Sequence, residues 1–193
     1  MYNAGFFIDS GRLTGQLLVA MPTMPDLRFA RSVVYICSHG DGGSMGLVVN
    51  RLYGEISFQA LLHQLNLKLA AETPEVPVHF GGPVEVGRGF VLHSTDYLRE
   101  GTMRIDDNVA LSATVEILEA ISQGQGPERL LMALGYTGWG AGQLDAEVQA
   151  NGWLTAPADE DILFGSDIET KYDRALAKIG ITSAMLSGEV GHA

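Results

Sequence analysis

Three segments of the sequence concentrate the residue types that bind small ligands. The candidates in these segments are Arg31, His39, Asn50, Gly81, Gly82, Pro83, Arg88, Tyr136, Trp139 and Gln143. A guanidinium group binds carboxylate or phosphate oxygens in a bidentate manner, and an aromatic face packs against a planar ring. If the segments converge around the Gly81-Gly82-Pro83 turn, we expect them to form a pocket for a small anionic molecule, including one that carries a ring.

Two of these candidates, both arginines, also have a structural interpretation. Arg31 and Arg88 would then pair with Asp26, Glu85 or other carboxylates and only hold loops together. Thermal-shift measurements with anionic compounds separate the two interpretations, because only a binding site makes the melting temperature depend on a ligand. The sequence leaves both open.

Cys37 and His39 raise the alternative of a hydrolase or thiol-type enzyme, with Arg31 as a third residue. Residues i and i+2 of a strand face the same side, so the thiol and the imidazole could be close. A nucleophilic thiolate, however, needs an exposed, electropositive setting and an oriented base. Cys37 ends a strongly apolar strand, where a free cysteine usually packs as a small hydrophobic residue. We therefore assign no catalytic residue.

The histidines do not have the spacing of a metal site, which would require a pattern such as His-x-x-x-His. Those of the first hundred residues are His39, His63, His79 and His93. His79 and His93 would meet only if their strands paired across the Gly81-Gly82-Pro83 loop, and they lack a set of carboxylates. We expect no metal.

Gly138, Gly140 and Gly142 precede a predicted helix, as glycines do in loops that bind phosphate at a helix N-terminus. The segment lacks the lysine and the spacing of a phosphate loop, and it lacks the strict Gly-x-Gly-x-x-Gly pattern. Two interpretations remain. The glycines either present N–H groups to a ligand beside Tyr136 and Trp139, or they serve tight turns and close packing against those rings. We expect no cofactor.

Short apolar runs bounded by Gly and Pro predict the strands that position these residues. The predicted strands are 16–20, 32–38, 45–50, 76–80, 88–93 and 130–136. The predicted helices are 57–65, 114–121, 143–150 and a last one with a Ser166–Glu169 capping box and a stop at Gly180. Strands outnumber helices and do not alternate regularly with them, which favours an α+β fold.

Composition limits the function classes. A chain of 193 residues, 46% hydrophobic, suits a single domain over 1–193, and its one cysteine cannot form an internal disulfide. A net charge of −11 argues against a DNA-binding surface, because phosphate neutralisation needs clustered Lys and Arg. The N-terminus has no basic region before its apolar run, and no stretch is long enough to span a bilayer. We expect a cytoplasmic protein.

The three segments resemble the YqgE/AlgH-like family of uncharacterised bacterial proteins, and the resemblance covers nearly the whole chain. Its most specific motifs are Gly81-Gly82-Pro83-Val84 and the block from Gly135-Tyr136-Thr137-Gly138-Trp139 to Gln143. It also includes the Gly15–Pro22 segment and the closing Gly191-His192-Ala193. Where the family usually has Gly-Ala-Met-Gly, this chain has Gly43-Ser44-Met45-Gly46.

This resemblance implies a compact α+β fold with a largely antiparallel, barrel-like sheet flanked by helices, and it implies no established catalytic activity. The label of transcriptional regulator accompanies the family, but the sequence shows no basic recognition helix of a helix-turn-helix. We therefore predict a non-enzymatic regulatory domain that binds a small anionic ligand or a protein partner, neither nucleic acid nor a membrane. Any effect on transcription would be indirect.

Overall fold

The fold is built on one sheet that curls into a half barrel. The computed structural model describes residues 13–187, so the N-terminal apolar run and the Gly191-His192-Ala193 motif lie outside the described residues. The strands of the described part are β1 (Gln16–Ala20), β2 (Val33–Gly40), β3 (Gly43–Val48), β4 (Val78–Phe80), β5 (Val84–Ser94), β6 (Thr102–Arg104), β7 (Val109–Ser112), β8 (Leu130–Gly140) and β9 (Trp153–Pro157).

Strand β8 organises the sheet. The strand order is β6-β7-β5-β8-β3-β2-β1-β9, and β4 pairs with β8 outside this path. Strand β5 occupies one edge of β8, while β3 and β4 share the other edge, opposite residues 137–140 and 132–134 respectively. Only the β4–β8 pairing is parallel among the described strands. The predicted α+β class and the largely antiparallel, barrel-like sheet are confirmed.

Helices cover both faces of the sheet. In the described residues they are α1 (Phe58–Gln64), α2 (Val115–Ser122), α3 (Gln143–Gln149), α4 (Glu160–Phe164), α5 (Lys171–Ala177) and α6 (Ser183–Ser187), with a short 3-10 helix at Leu27–Phe29. Helix α1 begins as predicted, because the Ser57 hydroxyl accepts a hydrogen bond from the Ala60 N–H. Leu65, predicted to lie on its apolar face, follows the last turn and is 43% exposed.

Strand alternation divides the core into layers. Leu131 and Ala133 of β8 pack on the face that α4 and α5 cover, whereas Met132 and Leu134 pack on the face that α1 and α2 cover. A third cluster joins β1–β3 to α3. Because both faces are covered, the central strands are nearly continuous apolar runs, as the sequence shows.

The sequence prediction was wrong at the last predicted helix. Ser166 and Glu169 do not form a capping box: the helix begins at Lys171, and the preceding Thr170 makes no side-chain cap hydrogen bond. Strands β6, β7 and β9 and helices α4 and α6 were not predicted. Each has three to five residues, which is too short for hydrophobic periodicity to stand out.

Candidate functional site

The ten predicted ligand-binding residues lie in four different places. An open cleft of about 850 Å³ beside the β2–β3 turn, called the hairpin cleft below, is lined by His39, Arg88, Tyr136 and Trp139. A separate depression of about 270 Å³ beside α5 is lined by Arg31 and Asn50. The others are the Gly81-Gly82-Pro83 turn, which crosses β8, and Gln143, which begins α3. The single pocket expected around the turn is not formed.

Two residues of the hairpin cleft, His39 and Trp139, lie on the face of the sheet that α3 covers. His39 Nδ1 lies 2.6 Å from Ser44 Oγ. His39 Nε2 lies 3.3 Å from Asp145 Oδ1 on α3, off the line of a good hydrogen bond. Trp139 packs in the same layer, whereas Tyr136 packs in the layer on the other side. The His39 side chain in this Ser-His-Asp contact is only 4% exposed, whereas the Asp145 side chain is 30% exposed.

Gln143 belongs to a hydrogen-bond cluster centred on Glu147 of α3. The indole N–H groups of Trp139 and Trp153 donate to the same oxygen of the Glu147 carboxylate, at 2.8 and 2.9 Å. Gln143 Nε2 donates to the other oxygen at 3.2 Å, and its Oε1 accepts from the Gly140 N–H at 3.0 Å. Charge-assisted bonds of this kind are strong, so the cluster attaches α3 to β8 and β9. It leaves Trp139 and Gln143 with structural roles.

The Gly81-Gly82 pair serves close packing. A Cβ at Gly81 would lie 2.3 Å from the Gly135 carbonyl oxygen, and a Cβ at Gly82 would lie 2.2 Å from the backbone of Tyr136. The Gly81 N–H already donates to the Leu134 carbonyl at 2.8 Å. The turn can cross β8 at this distance only because both residues lack a side chain.

Arg31 and Asn50 stabilise the segment that precedes β2 and the segment that follows β3. Asn50 Oδ1 accepts from the Val33 N–H, and its Nδ2 donates to the Arg31 carbonyl, both at 2.8 Å. The Arg31 guanidinium lies 4.4 Å above the Tyr172 ring and 3.9 Å from the Asp173 carboxylate. These contacts agree with the structural interpretation of Arg31.

Arg88 forms the ion pair that this interpretation predicts. Its guanidinium lies 3.4 Å from the Glu85 carboxylate and 5.0 Å from the centre of the Phe90 ring. Both charged side chains are more than half exposed, so solvent screens the pair.

Cys37 and His39 do not face the same side of β2, contrary to the expectation from alternation. The β2–β3 register shifts between Ile36 and Ser38, which makes Cys37 a β-bulge residue. Cys37 is buried in the layer opposite His39, as its apolar context predicts, and burial raises the pKa of its thiol. Arg31 lines a different depression. The structure therefore does not bring together the residues of the alternative enzyme.

His79 and His93 do not meet either, because β8 lies between their strands. His79 Nδ1 lies 3.2 Å from the Met132 carbonyl oxygen, and His93 Nε2 lies 2.8 Å from Ser112 Oγ. Within residues 13–187, no group of three or more His, Cys, Asp or Glu side chains is arranged to hold a metal ion.

A further pocket of about 480 Å³, called the interior cavity below, lies between β4, the α2–β8 loop and the α4–α5 loop and opens to solvent beside the exposed Glu75 and Glu128. Its wall is mainly apolar and includes Pro77, Ile121, Leu131, Leu163, Phe164 and Ile168. Its charged and titratable groups are Glu75, His79, Glu128, Arg129 and Lys171. The Arg129 guanidinium is already paired with the carboxylates of Glu160 and Asp161, at 2.7 and 3.0 Å.

Lys171 is the most unusual residue of the interior cavity, because its side chain is completely buried. The Nζ donates to the carbonyl oxygens of Val49 and Leu163, both at 3.0 Å. Burial, together with the nearby charge of Arg174, lowers the pKa of Lys171 to about 8. An ammonium group has three N–H donors, so one is left over. No carboxylate of the described residues lies within ion-pair distance of it.

His79 is another residue of the cavity wall, and one of its ring nitrogens is unpaired. The residue is only 6% exposed, and burial, followed by the charge of Lys171, lowers the pKa of His79 to about 4. The carbonyls of Met132 and Pro77 only partly oppose this shift. Since a carbonyl can only accept, the contact between Nδ1 and Met132 is a hydrogen bond when Nδ1 carries the proton. Among the described residues Nε2 has no hydrogen-bond partner.

A family model described as AlgH-like matches residues 17–184. The chain belongs to the AlgH-like family. This AlgH-like chain is 54% identical to a UPF0301 protein of Rhodopseudomonas palustris strain HaA2, with 99% of this chain and 91% of the relative aligned. The resemblance read from the glycine and aromatic motifs is confirmed.

Two solved structures share the AlgH-like fold. The solution structure of the AlgH protein from Pseudomonas aeruginosa matches with a TM-score of 0.78 and 41% identity, over 94% of this chain and 96% of that one. A crystal structure of a Corynebacterium diphtheriae protein matches with a TM-score of 0.65 and 19% identity, over 84% and 86% of the two chains. The second likeness shows the fold alone. Among residues 13–187 no helix has the length and apolar character to cross a bilayer.

The sequence gave only a weak indication of the interior cavity in this AlgH-like chain. Lys171 stands beside the apolar stripe of Ile168, Tyr172 and Leu176, at a position where a lysine usually extends its ammonium into water. His79 lies in a short apolar run and shows no motif. The ammonium is buried because α5 packs against β1, β2, β9 and α4, which brings Nζ to the carbonyls of Val49 and Leu163. Ser44, the departure from the usual family motif, lies elsewhere, in the contact with His39.

Proposed function

We propose that this protein binds a small molecule in the interior cavity, with an anionic group of the ligand beside Lys171. The observation that carries the proposal is the fully buried ammonium of Lys171, a residue of the cavity wall, which has no carboxylate partner among the described residues. The proposed role is ligand binding and not catalysis. The proposed location is the cytoplasm, as expected from the sequence.

Electrostatics favour an anion at this position. An unpaired charge in a low-dielectric interior destabilises the folded protein, and removing this penalty stabilises the bound state. The two carbonyls that Lys171 contacts satisfy hydrogen bonds but carry no net charge. Because Lys171 has no accessible surface, a ligand must displace part of the cavity wall to reach it. Its carboxylate would then accept the third N–H and compensate the positive charge.

The wall of the interior cavity favours a ligand that also has an apolar part. Small-molecule sites commonly combine an apolar lining with a few polar groups, in volumes of about 300–1,000 Å³. Leu131, Leu163 and Phe164 supply such a lining. The hairpin cleft supports a ligand less well, because its Arg88 guanidinium is exposed and already beside Glu85.

The test is calorimetric titration of the full chain with small monocarboxylic acids of increasing apolar size and with inorganic phosphate. We expect at least one acid to bind, and we expect Lys171→Gln to weaken it about tenfold or more, the effect of one charge-assisted hydrogen bond. Glutamine keeps an N–H donor for the carbonyls while removing the charge. Circular dichroism establishes that the variant is folded.

Arg88→Gln is the matched control, since it removes a charge from the hairpin cleft and should leave the affinity unchanged. If no acid binds, or if Lys171→Gln binds as well as the wild type, the interior cavity is not an anion site. A loss of affinity in Arg88→Gln alone would move the site to the hairpin cleft.

A further inference from the structure

We infer that a second small-molecule site lies between α6 and the segment that joins β1 to β2, and that it binds a medium-chain fatty acid. The site is separate from the interior cavity and goes beyond the proposed function. It is an open groove of about 560 Å³, called the Arg31 groove below. Arg31 is the one charged residue among the described residues that line this groove, and it also lines the depression beside α5.

The Arg31 guanidinium is accessible and has its hydrogen-bond donors available. Every other arginine of residues 13–187 donates at least one hydrogen bond through its guanidinium, whereas Arg31 donates none to a described residue. Its contact with the Asp173 carboxylate is 3.9 Å long, and both side chains are more than half exposed, so solvent screens the pair. A carboxylate ligand would accept two parallel hydrogen bonds from this guanidinium.

The surrounding chain holds Arg31 in a strained conformation at the edge of the groove. Arg31 has a φ of 55°, in the left-handed region that residues with a side chain seldom adopt. Asn50 Nδ2 donates to its carbonyl oxygen at 2.8 Å, and the Arg51 guanidinium donates to the preceding carbonyl, that of Ala30. The guanidinium itself lies 4.4 Å from the centre of the Tyr172 ring. It is therefore positioned before a ligand arrives, which reduces the entropy lost on binding.

The rest of the Arg31 groove is mainly apolar. The β1–β2 segment contributes Met21, Met24 and Leu27, and α6 contributes Leu186. Leu27 is 83% exposed, more than any other large apolar residue of the described part of the chain. Methionine side chains adapt to ligands of different shape, and an acyl chain that covers these residues removes apolar surface from water.

One positive charge beside an apolar groove matches a free fatty acid, which has one carboxylate and one acyl chain. The volume of about 560 Å³ lies in the range of small-molecule sites. A membrane surface is a poorer partner, because a protein with a net charge of −11 is repelled by anionic headgroups. The single guanidinium also provides no second cation for a doubly charged headgroup.

Calorimetric titration of the full chain with hexanoate, heptanoate and octanoate tests the inference. We expect octanoate to bind, and each added methylene to tighten binding about two- to fourfold, as its partial or complete burial requires. Acetate lacks the chain and octanol lacks the charge, so each should bind at least about tenfold more weakly than octanoate. Arg31→Gln should weaken octanoate about fivefold or more, because it removes the charge-assisted hydrogen bonds.

Arg28→Gln is the matched control for Arg31→Gln. Arg28 lies in the same loop and its side chain is equally exposed, but it is paired with Asp26 and is not part of the groove wall. This variant removes the same charge and should bind octanoate as the wild type does. Equal weakening in the two variants would show that the acid responds only to the overall charge, which would overturn the inference.

Methyl NMR spectra of protein labelled at its methionines locate the bound acid. The Met21 and Met24 methyl signals should shift when octanoate is added, because both residues line the Arg31 groove. The signals of Met45, in the hairpin cleft, and Met132, in the core, should stay unchanged. Octanoate binding without a shift of Met21 or Met24 would place the acid elsewhere and overturn the inference.

The variants distinguish the Arg31 groove from the interior cavity of the proposed function. Octanoate binding that is lost in Lys171→Gln and unchanged in Arg31→Gln would support the interior cavity and overturn the Arg31 groove. Binding that is weakened only in Arg31→Gln supports the Arg31 groove and does not support the interior cavity. If octanoate does not bind at all, the Arg31 groove is not a fatty-acid site.

Discussion

His79 and Lys171 are buried ionisable side chains on elements that are almost a hundred residues apart in the sequence. Each has part of its hydrogen-bonding capacity satisfied by backbone carbonyls and part unsatisfied. A buried ionisable group with unsatisfied hydrogen-bonding capacity destabilises the folded protein, and such groups are common at functional sites. This effect on stability can be measured without a known ligand.

The pKa of His79 makes stability depend on pH. It is about 4 in the folded protein against 6.5 in the unfolded chain, so between these values only the unfolded chain binds the proton. The stabilisation from His79 is complete above pH 6.5 and is lost as the pH falls towards 4, by up to about 3 kcal/mol. Denaturant unfolding at pH 7 and pH 4.5 should therefore show a smaller loss in His79→Gln than in the wild type.

His63→Gln is the control for this prediction, because His63 is exposed and should leave the acid loss unchanged. His93 is also buried, and desolvation lowers its pKa, so part of the acid loss persists in every variant. Identical losses in His79→Gln and the wild type would show that His79 is not buried in the neutral form.

Residue types in the sequence predicted some environments and not others. An apolar run predicted that Cys37 is buried, because almost any strand packed on both faces would bury it. The same run could not predict the β-bulge that separates Cys37 from His39, since a bulge depends on how β2 pairs with β3. The burial of Lys171 likewise depends on where α5 packs.

At the scale of elements, the crossing of the Gly81-Gly82 turn over β8 determines how β4 and β5 reach opposite edges of that strand. In Gly81→Ala, the new methyl group would meet the Gly135 carbonyl, and neither backbone can retreat without breaking the pairing of β8. We expect the free energy of unfolding to fall by about 3 kcal/mol or more, or the variant not to fold. Thermal or denaturant unfolding measures this.

Gly87→Ala provides the comparison within β5. No atom lies within 4 Å of the position its Cβ would take, so its stability should stay within about 0.5 kcal/mol of the wild type. A small effect of Gly81→Ala, similar to that of Gly87→Ala, would show that the crossing is not tightly packed.

Local sequence signals predicted the start of one helix correctly, at Ser57, and the start of another incorrectly, at Ser166. Ser57 followed by Phe58, Leu61 and Leu62 predicted α1, and the structure shows both its cap and its buried face. Ser166 and Glu169 have the spacing of a capping box, yet the chain from 165 to 170 turns between α4 and α5 instead. Packing of α5 under the sheet determines that choice.

At the scale of the whole molecule, the net charge of −11 governs interactions with polyanions. Arg28, Arg31 and Arg51 are the main basic group of the first half, but Arg28 is bound to Asp26 and Arg51 to backbone carbonyls. We expect no binding of the purified protein to duplex DNA at physiological salt in a gel-shift assay. A sub-micromolar, sequence-selective complex would contradict this.

The fold class was predictable from the whole sequence, whereas the interior cavity was not. Short strands, partly joined by hairpins and not alternating regularly with helices, favour an α+β fold, and the family resemblance implied the largely antiparallel sheet. The cavity brings together β4, the α2–β8 loop and the α4–α5 loop, and no local pattern predicts that these three segments meet. Of the candidate residues that the sequence did identify, four lie in strands β2, β5 and β8, and the others lie at turns or at the start of α3.

The Glu147 cluster determines what the intrinsic tryptophan fluorescence of this protein can report. The chain has two tryptophans, and both indole rings donate to that one carboxylate at the seam between α3 and the sheet. Neither ring lines the interior cavity. We therefore expect tryptophan fluorescence to report whether α3 remains attached to the sheet. We expect it to stay unchanged when a ligand binds in the interior cavity.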